Sequence, residues 1–300
     1  MMPPTARVLC TALLAAAMAL AQEPAALLEK KTLARIAEID ASLDGVLGMA
    51  AIDLKSGHAF SYHGDLITTQ ASLIKVPVLV TAFQDIEAGT LKLDQTVSLT
   101  EKDKAGGDGT LDRRLAKEPL EIPLRELITL MIRDSDNTAT NVIIRLVKRE
   151  RVNALLLSLG FKNTRLRRVM MDGEAAKKDE ENTSTPLEMA RLMDLIYRGK
   201  VVSPKACEQM VEFMKLVRAD FRGGLPPGVV SASKPGAVPG VHTEAGIVYL
   251  EGRPYVLSVM SSMLAGGANP LRDVVAVVEE HFERLARSNR YGHRVSDPLH

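Results

Sequence analysis

The sequence predicts an α/β (α+β) chain. An antiparallel sheet is built from N- and C-terminal segments and flanked by helices, and an all-helical lobe is inserted between them. Three observations predict this. Strand patterns occur near the two ends, at 46–64 and from about 229 to 262. The turns that join them, Lys55-Ser56-Gly57 and the EGRP stretch at 251–254, are too tight for a parallel crossover. Between the two ends, apolar residues recur at helical spacing.

The elements follow in order. MMPPTAR carries one positive charge, VLCTALLAAAMAL is apolar, and Ala19-Leu20-Ala21 puts small residues at both positions a signal peptidase reads. This predicts a signal peptide over residues 1–21, cleaved after Ala21, and an exported protein, periplasmic or secreted. A retained N-terminal anchor is the alternative. The apolar stretch is short for a transmembrane helix, and no other segment is long enough, so no membrane span is expected after cleavage. Cys10 has no small residue before it and does not read as a lipidation site. Cys207 is then the one cysteine of the mature chain, expected as a small buried hydrophobe.

From Ala25, AALLEKKTLARIAEIDASL reads as an amphipathic helix. VLGMAAIDL (46–54) and HAFSYHG (58–64) read as paired strands. A helix is expected from Ser72 to about Glu87, capped by Gly89. AGGDGT (105–110) is a glycine-rich loop, and helical spacing dominates from Pro123 to Leu159. A polar loop at 172–184 leads to helices opened by Thr185-Pro186 and Ser203-Pro204, each an N-cap followed by proline. Strand character returns at 229–234. GIVYL (246–250) and YVLSVMSS (255–262) form a hairpin, and a helix from Pro270 to about Ala286 closes the fold. The expected organisation is one domain over 22–290. Its α/β lobe covers about 24–68 plus 225–288, its helical lobe about 69–224, and residues 291–300 form a mobile tail.

Composition excludes some functions. The net charge is +1, aromatics are 4% and Trp is absent, which argues against nucleic-acid binding. The six histidines show no H-x-x-x-H pair, and His58 and His63 are expected at the surface, so no metal site is predicted. Gly106-Gly107-Asp108-Gly109 lacks the Lys-Ser/Thr of a phosphate loop. There is no G-x-S-x-G elbow. No cofactor is implied.

One stretch carries chemistry. In ASLIKVPVLV (71–80), Lys75 interrupts an apolar run, and burying an unpaired ammonium is costly. Ser72 lies three residues earlier, one turn away on the same face. Pro77 places the pair at a helix start, where backbone N–H groups are free. A desolvated lysine there can take the serine's proton. Taken alone, the pair reads rather as a capping serine and a snorkelling lysine, and the same spacing recurs at Ser231 and Lys234. Two further stretches add weight. Ser135-Asp136-Asn137 lies between predicted helices, and Lys234-Pro235-Gly236 lies on a predicted strand where glycine admits a close ligand.

Together and in this order, S-x-x-K, S-D-N and K-x-G resemble the penicillin-recognising serine hydrolases, most closely the class A β-lactamases. NTSTPLEMARL resembles the end of that family's Ω-shaped loop and its next helix, and GIVYLEGRPYVLSV its terminal hairpin, so the likeness spans the mature chain. It implies a β-lactamase/transpeptidase-like fold and a monomeric, exported serine acyl-hydrolase. The substrate would be a small β-lactam or a peptidoglycan-like peptide. Ser72 would be the acylated nucleophile and Lys75 its base or proton relay. Ser135 would relay the proton to the leaving nitrogen, and Lys234 would attract a substrate carboxylate. Asn137 would hold the substrate's amide side chain, Gly236 would admit the substrate, and the N–H groups of Ser72 and Ala237 would form the oxyanion hole.

Two departures stand out. Pro235 replaces the usual Thr or Ser hydroxyl. The family's deacylating glutamate is missing: a gapless count back from Thr185-Pro186 puts its place at Val169, with Arg167 and Asn182 where the loop-pinning ion pair usually sits. Asp172 and Glu174 are the nearby carboxylates that could activate water, or else are solvated loop residues. Rivals to β-lactam hydrolysis are a D,D-carboxypeptidase or penicillin-binding protein, an esterase, and a β-lactam sensor that acylates without turnover.

Overall fold

A computed structural model describes residues 23–218 and 220–295. The expected signal peptide and residues 296–300 of the expected tail lie outside them. Residues 291–295 follow a turn, in which Val295 N donates to Arg287 O at 2.9 Å.

Helix α1 (Pro24–Ala41) leads to β1 (Val46–Asp53) and β2 (Ala59–Tyr62). Then come β3 (Thr68–Thr69), a 3-10 turn at Ala71–Ile74 and α2 (Lys75–Glu87). The middle holds β4 (Thr96–Leu99), α3 (Leu111–Leu115), β5 (Leu120–Pro123), α4 (Leu124–Arg133), α5 (Asn137–Val147) and α6 (Arg149–Ser158). After α7 (Gly173–Ala176) and β6 (Thr183–Ser184) follow α8 (Pro186–Tyr197), α9 (Pro204–Lys215) and α10 (Asp220–Gly224). β7 (Val230–Val238), β8 (Val241–Tyr249), β9 (Tyr255–Ser262) and α11 (Leu271–Ala286) end the fold.

The main sheet has the order β2-β1-β9-β8-β7 and is antiparallel throughout. N- and C-terminal strands therefore share one sheet, as the tight turns require. Central strand β9 shows why it holds. Tyr255, Leu257 and Val259 face α11, while Val256 and Met260 join the core under the helices, the period-2 alternation of a strand covered on both faces. Thr185 Oγ1 accepts from Glu188 N at 3.2 Å and Ser203 Oγ from Ala206 N at 3.3 Å, so both expected N-caps form. Cys207 is buried.

Several boundaries differ from expectation. The helix expected from Ser72 begins as the 3-10 turn, and α-geometry starts at Lys75. The strand expected at 229–234 runs on to Val238, and its partner starts at Val241, because Pro239-Gly240 makes a hairpin turn with Gly240 at φ +75°. The small β3–β6 and β4–β5 pairs escape sequence reading, since two to four residues carry too little periodicity.

Helices α1 and α11 cover the outer face of the sheet and meet at a buried pair. His281 Nδ1 lies 3.0 Å from Thr32 Oγ1, which donates to Leu28 O. Burial, with Arg253 nearby, pushes His281 down to about 4. The unfolded imidazole binds a proton near 6.5, so folding is favoured above that value and loses support as pH falls towards 4. Between pH 7.5 and 5, urea unfolding should show a loss of about 2 kcal/mol from this group. His281→Leu should flatten the slope in that window.

Candidate active site

The three chemistry-bearing stretches meet at one point. Ser72 comes from the 3-10 turn, Lys75 from the first residue of α2, Ser135 and Asn137 from the α4–α5 junction, and Lys234 from β7. Lys75 is fully buried. Its Nζ lies 3.0 Å from Ser72 Oγ, 3.0 Å from Ser135 Oγ, 3.0 Å from Asn137 Oδ1 and 2.5 Å from Ser135 O. All four partners are uncharged. Burial first, and then the neighbouring Lys234, hold its pKa well below the usual lysine range, against the pull of Asp108 and Asp136. A neutral amine 3.0 Å from a serine hydroxyl can accept its proton.

Lys234 is also buried, with Nζ 3.2 Å from Ser135 Oγ and 3.0 Å from Pro235 O. Burial lowers it to about 8, opposed chiefly by Glu244. Glu244 is fully buried and accepts from Ser233 Oγ at 2.6 Å and Phe221 N at 3.1 Å. It pairs across the strands with Pro235, so its side chain lies on the sheet face opposite Lys234. Thr243, the cross-strand partner of Gly236, does not replace the missing hydroxyl, because its Oγ1 is taken by Gln70 O (3.1 Å) and Gly236 O (3.2 Å). Gly236 is needed for space. A Cβ there would stand 2.8 Å from Ser72 N and from Gln70 O.

Ser72 and Asn137 line a cleft of about 390 Å³, and Ala237, Val238 and Pro239 form its strand side. The other banks are the 105–110 loop and the 167–182 loop. Three non-glycine residues at the site hold positive φ: Ala71 (+46°), Ser135 (+56°) and Met171 (+64°). Such strain persists only where surroundings over-determine it. Asp136 does this for one bank, a role the sequence did not reveal. Its Oδ1 caps α5 through Ala139 N (2.8 Å), and its Oδ2 accepts from Thr110 N (2.7 Å) and Leu111 N (2.9 Å).

The 167–182 bank departs from expectation by one residue. The loop-pinning ion pair is Arg168–Glu181 at 2.9 Å, not a pair at Arg167 and Asn182. Arg167 instead donates to Glu181 O (2.8 Å) and Thr183 Oγ1 (2.7 Å). Buried Asn182 ties the loop to itself, its Oδ1 accepting from Arg167 N (2.8 Å) and Arg168 N (3.1 Å) while Nδ2 donates to Arg168 O (3.0 Å). Likewise Met170, not Val169, faces the cleft. Asn141 holds the Met170 backbone through both amide atoms, at 2.8 and 3.0 Å, and Val169 is 39% exposed outside the lining.

The two expected carboxylates are placed differently. Asp172 lines the cleft, but its Oδ1 caps α7 through Ala175 N at 3.0 Å. Glu174 is not in the cleft; it pairs with Lys177 at 2.8 Å on the exposed side of the loop. Glu181, which sequence reading passed over, lines the cleft and accepts from Thr69 Oγ1 at 3.1 Å besides its pairing with Arg168. Its only sequence signal was its place beside Asn182. Among the described residues no cluster of His, Cys, Asp and Glu could hold a metal, and no helix is long and apolar enough to cross a membrane. Asn182→Ala would strand the backbone groups of Arg167 and Arg168 that it now serves, so urea unfolding should show a loss of about 3 kcal/mol, with faster amide exchange in the 167–182 loop.

The sequence profile described as the beta-lactamase enzyme family matches residues 30–278. A beta-lactamase of Rhodobacter capsulatus is 27% identical over 192 residues, covering 60% of this chain and 61% of that protein; this chain thus spans less than two thirds of that relative. The crystal structure of a beta-lactamase from Sphaerobacter thermophilus superposes with a TM-score of 0.77 at 27% identity, over 85% of this chain and 96% of that one. A point mutant of PBP-A, solved as an acyl-enzyme complex with penicillin G, matches with a TM-score of 0.77 at 27% identity, over 86% of this chain and 97% of that one. With the profile covering most of its length and the fold shared, the chain belongs to the beta-lactamase enzyme family.

Proposed function

We propose that this protein is an exported serine acyl-hydrolase that opens a β-lactam amide through a Ser72 acyl-enzyme and releases the product slowly. The observation that carries the reading is the Lys75 amine, buried among neutral partners and 3.0 Å from both Ser72 Oγ and Ser135 Oγ. Lys75 Nζ takes the Ser72 proton as Oγ attacks the carbonyl carbon. The developing oxyanion is received by the N–H groups of Ser72 and Ala237, donors of a kind worth about 10²–10³ in rate each. As the C–N bond breaks, Ser135 gives its proton to the leaving nitrogen and regains one from the Lys75 ammonium. Lys234 attracts the substrate carboxylate and steadies Ser135. The penicillin acyl-enzyme of the PBP-A mutant supports the same intermediate here.

Release is another matter. Hydrolysis of the acyl-enzyme needs a base beside the attacking water. Met170 lines the cleft together with Ser72, Asp172 has one carboxylate oxygen engaged as a cap, and Glu181 is paired. This favours a second reading, a D,D-carboxypeptidase or penicillin-binding protein, in which a β-lactam is a slow pseudo-substrate.

A fluorescent penicillin followed in time separates these readings. We expect a labelled band that decays slowly, lost altogether in Ser72→Ala. Met170→Glu should speed the decay about tenfold or more by supplying a base. Fast turnover by the wild type would sink the slow-release reading, and labelling of Ser72→Ala would sink the mechanism.

The pH dependence of acylation tests the two lysines. Lys75 acts when neutral, so the rate rises with pH through its lowered pKa. Lys234 acts when charged, so the rate falls above about 8. A substrate whose carboxylate is masked as a methyl ester should lose most of the alkaline fall.

A further inference from the structure

Met171 occupies an unusual place. Its backbone is held at φ +64° although it is not glycine, and its side chain is 55% exposed. The residues on either side are fixed, Met170 by both amide atoms of Asn141 and Asp172 by its cap on α7. The turn therefore cannot relax without breaking those bonds. The thioether reaches the opposite bank: a Cβ on Gly107 would stand 2.8 Å from Met171 Sδ, 3.2 Å from its Cε and 2.7 Å from Asn137 Nδ2. Gly107 belongs to the loop fastened by Asp136, and Met171 to the loop fastened by Asn182. Both line the cleft together with Ser72 and Asn137.

We propose that Met171 is a specificity-determining residue, a thioether bridge to Gly107 that limits the bulk of the acyl substituent a substrate can place beside Asn137. The inference rests on the Ser72 acylation proposed above. A substrate whose amide nitrogen carries nothing, or a small group, reaches Ser72 without disturbing the bridge. A broad, branched substituent has to displace the methionine. Met is suited to this, being unbranched, apolar and free to turn about three bonds. The backbone strain fits a side chain held where it is needed for selection rather than for packing.

The test measures second-order acylation of Ser72 by intact-protein mass spectrometry, which does not depend on release. The probes are 6-aminopenicillanic acid, with no acyl substituent, and piperacillin, with a broad branched one. In Met171→Ala the piperacillin-to-6-aminopenicillanic acid rate ratio should rise about tenfold, and the rate with the smaller probe should stay within about twofold. Met171→Gly, which also relieves the positive φ, should behave alike, and Met171→Leu should keep the wild-type ratio. Acylation by both probes with an unchanged or lowered ratio in the Ala and Gly variants overturns the gate and leaves the acylation chemistry standing. Failure of both probes to acylate the wild type overturns the gate and the functional reading together.

Discussion

Everything at this site depends on burying one ammonium without giving it a carboxylate to touch. Lys75 opens a helix whose next residues, Val76, Pro77, Val78, Leu79 and Val80, are all buried, so its side chain starts inside the core and is fully buried itself. Burial alone disfavours the charged form. A direct Asp or Glu partner would restore the charge and remove the base. The fold supplies instead two hydroxyls, an amide oxygen and a backbone carbonyl, which can serve the amine in either protonation state. The nearest negative charges, Asp108 and Asp136, act from a distance. Asp136 is spent on backbone N–H groups, which lets it fix the geometry without quenching the lysine.

That arrangement demands an unusual backbone, and the strain is shared out. Ala71, next to Ser72, and Ser135 itself are held at positive φ. Non-glycine residues in that region cost about 1–3 kcal/mol each. The compensation is visible in buried polar side chains that bind backbone. Gln70 Nε2 donates to Thr183 O at 2.8 Å, tying the nucleophile turn to the far loop. Asn182 and Asn141 hold that loop in turn. The short connections therefore brace one another, and the sheet behind Lys234 provides the rigid reference.

The parts legible in the sequence are those fixed by local chemistry. The caps at Thr185 and Ser203, the hairpin turns and the Ser72–Lys75 spacing each depend on a few adjacent residues, and each formed as read. The parts not legible depend on how a loop is threaded. Counting without gaps placed the key loop position at Val169, but Asn141, 29 residues before Met170, grips Met170 instead. The ion pair falls one residue inside the expected position on each side, at Arg168 and Glu181 rather than Arg167 and Asn182. Glu174 looked available from composition, yet α7 turns it outward to Lys177. The contact from Met171 to Gly107 joins two loops far apart in the chain and leaves no trace in either motif.

The offset has a chemical meaning. A charged pair at its cleft side and an amide at its buried side hold this loop in shape. Of the carboxylates considered for a role there, Asp172 caps a helix through one oxygen, Glu181 is paired with Arg168, and Glu174 is paired with Lys177 outside the cleft. The position gripped by Asn141 carries a methionine, which excludes water rather than activating it. In the proposed reaction Lys75, fully buried, is the base for acylation, and the gripped position Met170 offers none to an attacking water. On the proposed mechanism, forming the acyl bond would draw on the core around α2, and hydrolysing it on the 167–182 loop, which here is fastened by the Arg168–Glu181 pair and by Asn182.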